Sequence, residues 1–190
     1  IAVFYRVHAQ SRVLEEVMRA ERIPHQILGG VRFFERAEIK DVLSYLRVLS
    51  NPASDVDLLR IINTPSRKIG TTTQAKLTEI ASERKITAFE AIPIVIDEQR
   101  VGPAARKALA AFAVLMAKLR KVAATASPSE LCEAVIEESG YAAMLQAEDS
   151  DESAAREQNL AELVGAIREY EEEAHAAGET ADLAGYLERV

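Results

Sequence analysis

The stretch "GGVRFFERAEIKDVLSYLRVLSNP" (Gly29 to Pro52) divides the chain into two kinds of pattern. On its C-terminal side Ile39, Val42, Leu43, Leu46 and Leu49 recur at three- and four-residue spacing, one face of an α-helix, and Asn51-Pro52 ends it. On its N-terminal side Gly29-Gly30 make a turn or hinge. Before them "IAVFY" (Ile1 to Tyr5) is a short apolar, β-prone run, the pattern of a buried strand. Val13 to Ala20 reads as helix, with Leu14, Val17 and Met18 on one side, and "HQIL" after Pro24 reads as a second short strand. Strand, helix and strand open an α/β unit, yet no alternation continues it, so its sheet partners are expected outside this sequence. The expectation is a mainly α fold: a short strand–helix–strand piece over residues 1–28 and a helical domain over 29–190.

Further helices follow. Asp55 can cap a short helix carrying Val56, Leu59, Ile61 and Ile62, and Gln74 to Arg84 reads as another. Thr87 with Glu90, and Ser127 with Pro128 and Glu130, are capping-box signatures. Pro103 to Ala124 is a long Ala-rich helix, and the helix begun at Ser127 stops near Glu138. "AEDSDES" reads as an acidic loop, Ala155 to Glu173 as a long helix, and Thr180 as the start of the last one.

The composition suits this reading. Of 190 residues 48% are hydrophobic and 28% charged, with no tryptophan and few aromatics, which favours helices over a β-sandwich. No apolar run approaches the ~20 residues needed to span a bilayer, so no membrane partner is expected. The single cysteine, Cys132, excludes an internal disulfide and suits a helix core in a reducing compartment; the cytoplasm is the expected location. A first residue Ile1 rather than Met suggests a piece of a longer protein. The net charge of −7 averages unlike parts. Residues 1–70 carry 11 basic against 8 acidic residues (+3), 71–128 carry 9 against 5 (+4), and 129–190 carry 3 against 17 (−14). The first two thirds can meet a polyanion; the last third repels one, unless its charges are simply a solvated helix face.

Phosphate-binding GxxxxGK[ST], GxGxxG, paired-cysteine and HExxH patterns are absent, and His8, His25 and His175 share no motif. Neither a catalytic constellation nor a metal or cofactor site is expected in this chain. What remains is basic residues near turns. In "INTPSRKIGTTT" (Ile62 to Thr73) a proline and a glycine reverse the chain between helices. Amides of Gly70 and Thr71 at a helix start can bind a phosphate, with charge from Arg67 and Lys68 and hydroxyls from the threonines. A well-capped turn with incidental charges is the competing reading. Tyr5-Arg6, with His8, Gln10 and Arg12, closes the first strand and is either a ligand-contacting strand end or packing plus solvated charge. Phe33-Phe34, beside Arg32, Arg36 and Lys40, is either a base-stacking platform or a core anchor.

Taken in order, Y-R-x-x-A-Q-S-R-x-x-E from Tyr5, G-G-x-R-F-F-x-R-x-E-I-K-D from Gly29 and N-T-P-x-R-x-I-G from Asn63 resemble the UvrD/PcrA/Rep group of superfamily 1 DNA helicases. The resemblance is dense to about Thr73 and continues more weakly through "ESGYAAML" and "EQNLAELV" to near Leu187. It implies that residues 1–28 are a small part of motor domain 2A and 29–190 the helical 2B domain. The whole protein would be an ATP- and Mg-dependent 3′-to-5′ helicase of repair and replication, nucleoid-associated in a bacterial cytoplasm. The ATP-binding motifs would lie elsewhere, leaving this piece inactive alone. Arg6 and His8 match positions that contact single-stranded DNA, although the family usually has asparagine where His8 stands. Lys40 and the turn of Arg67, Lys68, Ile69, Gly70 and Thr71 match parts of 2B that grip duplex DNA. Gly29 and Gly30 sit where the 2B hinge belongs. The usual R-G-I-G has Lys68 in place of its first glycine, which either strains the turn or adds a phosphate contact. Two alternatives stand beside this: a regulatory module whose acidic helices dock repair proteins, or a piece of a helicase–nuclease subunit. An unpaired N-terminal strand would dimerise or stay disordered.

Overall fold

A computed structural model describes residues 3, 5, 10–25 and 32–190. Among the described residues the chain forms ten α-helices and no strand. They are α1 (Ser11–Ala20), α2 (Ala37–Ser50), α3 (Asp55–Ile61), α4 (Thr71–Arg84), α5 (Ala88–Asp97), α6 (Pro103–Ala123), α7 (Pro128–Glu138), α8 (Tyr141–Glu148), α9 (Asp151–Ala176) and α10 (Leu183–Arg189). The mainly α expectation holds. The strand–helix–strand piece is not seen: its helix is α1, Val3, Tyr5 and His25 are not in a strand, and the other residues of both expected strands lie outside the described residues. A parallel strand has no ladder bonds without neighbours, and no sheet partner occurs among the described residues. Gly29 and Gly30, the expected hinge, also lie outside them, as do Arg6 and His8.

Helix α2 is the hub of the core. It packs against α3, α6, α7, α9 and α10, and Ile39, Val42, Tyr45, Leu46 and Val48 are fully buried on several of its sides. A helix apolar on so many sides must lie inside a bundle. Around it, α4 and α5 pack as one pair, α5 packs on α6, and α7 to α9 form a second group. Phe33 and Phe34 enter this core edge to face, with centroids 5.0 Å apart, so their rings are closed to stacking bases. Cys132 is buried in α7.

Both capping boxes form. Thr87 accepts from the Glu90 amide and Ser127 from the Glu130 amide, each glutamate reaching back to the cap amide. Ser150 and Ser153 make a third, which starts α9 four residues before its expected beginning. Asp55 does not cap its own helix: its carboxylate accepts from the Ala88 amide at 2.7 Å and so ties α3 to the first turn of α5.

Helix α1 docks by its polar face. Arg12 is 2% exposed and bonds Glu16 on its own helix, plus Glu162 and Glu169 of α9, at 2.7–2.9 Å. Glu15 accepts the Phe33 amide, and Arg36 bridges the Asn159 amide oxygen and the Ser11 hydroxyl. Asn159 in turn donates to Glu38 at 2.7 Å. Val13 and Val17, on the other side of α1, are 49% and 54% exposed. This inverts the ordinary amphipathic helix, in which the apolar face is the one buried.

Candidate nucleic-acid interface

The passage from Ile62 to Thr73 connects α3 to α4, and an asparagine organises it. Asn63 Oδ1 accepts the amides of Arg67 at 2.8 Å and Ile69 at 3.0 Å, folding the loop around its own side chain. Thr64-Pro65 is a cis peptide. Ile69 is fully buried and pins the loop to the core. The Tyr45 hydroxyl donates to the Thr64 carbonyl at 2.7 Å from below, and burial pushes the Tyr45 phenol up to about 12.

The two adjacent cations have opposite placements. Arg67 turns inward: its guanidinium donates to the carbonyls of Ile61 and Pro65 at 3.1 Å and of Ser139 at 2.8 Å. It also lies over the rings of Tyr45 and Phe112, 5.9 and 5.6 Å from their centroids. It therefore fastens the turn to α3 and to the end of α7. Lys68 is exposed and, among the described residues, makes no hydrogen bond or ion pair. Its backbone is left-handed, φ 63°.

Gly70 is the N-cap of α4 and offers no capping side chain; a Cβ there would meet only open space. The amides of Thr73 and Gln74 return to the Gly70 carbonyl. Those of Gly70, Thr71 and Thr72 find no acceptor among the described residues, and Thr71 and Thr72 are exposed. Free amides at the start of a 14-residue helix carry a partial positive charge directed outward. A groove of about 470 Å³ beside Thr72 extends to Gly102, the side-chain-free cap of α6, so a second helix start faces the same space. Lys76 and Arg100 flank that groove, each paired with a glutamate.

Of the residues expected in the site, the structure gathers Arg67, Lys68, Ile69, Gly70 and Thr71 in one turn. Lys40 is exposed on α2, which packs on α3 and is tied to it by Arg60 and Asp41 at 2.7 Å. Sequence reasoning passed over Asn63 and Tyr45. An asparagine beside Thr-Pro was the available signal for the first. Nothing local marks the second.

A model of the UvrD-like helicase C-terminal domain matches residues 1–190 of this chain. The chain belongs to that family. DNA helicase II of Haemophilus influenzae is 41% identical over 169 residues, which cover 89% of the chain and 23% of that protein. The ATP-dependent DNA helicase PcrA of Bacillus subtilis is 37% identical over 172 residues, 90% of the chain and 23% of the relative. The ATP-dependent DNA helicase UvrD1 of Mycobacterium tuberculosis is 39% identical over 202 residues, the whole chain and 26% of the relative. The chain thus spans about a quarter of the length of these UvrD-like helicases. Among the described residues no helix is long and apolar enough to cross a membrane, and no group of His, Cys, Asp and Glu is arranged to hold a metal ion.

Proposed function

We propose that this chain is the 2B domain, with a small part of motor domain 2A over residues 1–28, of an ATP-dependent 3′-to-5′ DNA helicase of repair and replication, and that the α3–α4 turn holds the duplex backbone. The observation that carries this reading is the open start of α4 with Lys68 projecting beside it. Unpaired amides and an unpaired ammonium make a phosphate cradle without base readout. Arg67 and Ile69 contribute by shaping the turn, while Lys68, Gly70, Thr71 and Thr72 meet the phosphate. Lys40 extends the same grip, and Arg6 and His8 serve the single strand. Gly29 and Gly30 are the pivot on which the helical domain swivels. Exposed Val3, Val13, Val17 and Ile23 support a cover supplied by the rest of 2A. ATP and magnesium do not fit the residues here: the sequence has no phosphate-binding loop, and the described acidic residues form no ion-holding group. No step is assigned to them in this chain. The parent protein would work in the bacterial cytoplasm, at the nucleoid.

A titration of fluorescent hairpin DNA against salt tests this. Binding weakens steeply with salt, and Lys68→Ala lowers the slope of log affinity against log salt by about 0.9, one phosphate contact. Absence of binding at low salt would remove the reading.

A further inference from the structure

The acidic C-terminal third holds a second built feature, distant in charge from a DNA site. Between α7, α8 and α9 lies a groove of about 460 Å³, within the roughly 300–1,000 Å³ typical of ligand-binding pockets. Leu145, Leu160 and Val164 are buried at its floor, and half-buried Ile136 and Ala142 with exposed Ala161 form its accessible apolar lining. Glu137 of α7 and Glu157 of α9 stand at it from two different helices; both are exposed, and among the described residues neither carboxylate makes a hydrogen bond or ion pair. Among the described residues the one cation lining the groove, Arg168, is paired with Glu133.

An apolar trough between unneutralised carboxylates, on a segment of charge −14 (3 basic against 17 acidic residues over 129–190), repels nucleic acid. It complements the reverse arrangement: aliphatic side chains flanked by lysines or arginines. We propose that this groove docks a basic amphipathic helical segment of a partner protein. Its aliphatic side chains at i, i+3 and i+4 would lie over Ile136, Ala142 and Ala161, and its cations would meet Glu137 and Glu157. The site goes beyond the DNA-holding role and shares no residue with it.

The test uses the full 190-residue chain and a fluorescein-labelled 14-residue helical peptide with leucines at i, i+3, i+4 and i+7 and lysines elsewhere. A second peptide carries glutamates in place of the lysines. Expected is saturable one-to-one binding of the lysine peptide, at least about tenfold tighter than the glutamate peptide. Ala161→Trp, which fills the trough, and the pair Glu137→Lys with Glu157→Lys each lower affinity about tenfold. Glu172→Lys with Glu179→Lys, equal in charge but off the groove, leaves affinity within about twofold. Chemical-shift changes on the methyls of Ala142, Leu145 and Ala161 locate the peptide without any substitution. The proposal is overturned if the off-groove pair weakens binding as much as the groove pair. It is also overturned if those methyls do not shift, or if the intact helicase fails to bind the peptide because another of its segments covers the groove.

Discussion

Lys68 carries both halves of the question its position raises. Its left-handed backbone (φ 63°) costs about 1–2 kcal/mol for a residue with a Cβ, while glycine loses about 0.5–1 kcal/mol more conformational freedom on folding. Lys68→Gly should therefore raise unfolding free energy in urea by about 0.5 kcal/mol while weakening hairpin binding. Strain and grip are thus separable at one residue. Asn63→Ala orphans two amides and should cost about 2 kcal/mol, with hairpin binding lost at constant charge. The departure at Lys68 was readable from the sequence, whereas the inward turn of Arg67 was not. One of its acceptors is the carbonyl of Ser139, 72 positions away, and no local pattern encodes such a contact. Cys132 shows a different dependence on environment. Burial pushes its thiol from an ordinary value of 9.0 up to about 12. The native thiol should stay unreactive toward a thiol reagent at pH 8 and react at once in denaturant. Because the unfolded thiol ionises first, it binds fewer protons between pH 9 and 12, so this group's contribution makes the fold less stable as pH rises through that window.

At the scale of elements, local chemistry decided what could be read. Capping boxes at Thr87 and Ser127 use neighbours three residues apart and were legible. Asp55 looked like a cap and is one, but for a helix 33 residues further on. Helix α8 was missed because its apolar face is defined by α7 and α9 rather than by its own pattern. Helix α1 is the sharpest case: its period predicts a buried apolar side, yet its polar side docks. Removing Arg12 leaves three glutamates facing one another. Breaking a buried ion pair costs about 3–5 kcal/mol, but these glutamate side chains are 30–58% exposed, which reduces the loss to about 2. Arg12→Ala should therefore speed proteolysis within residues 10–36 while α4 to α6 keep their protection from hydrogen exchange.

Across the whole molecule, charge and fold divide the work. The segments of net positive charge hold α1 to α6 with the α3–α4 turn, and the acidic third forms most of α7 and all of α8 to α10. The segment series from Tyr5 to Gly70 made the family legible, and the match over residues 1–190 bears it out. The central claim concerns one surface: the open start of α4 holds a DNA backbone. Its most direct test is a two-dimensional amide spectrum of the chain titrated with a short hairpin at low salt. The amides of Lys68, Gly70, Thr71 and Thr72 should shift first and furthest, and return on adding salt. Shifts that cluster instead on α7 to α9, or none at the turn, would contradict the account.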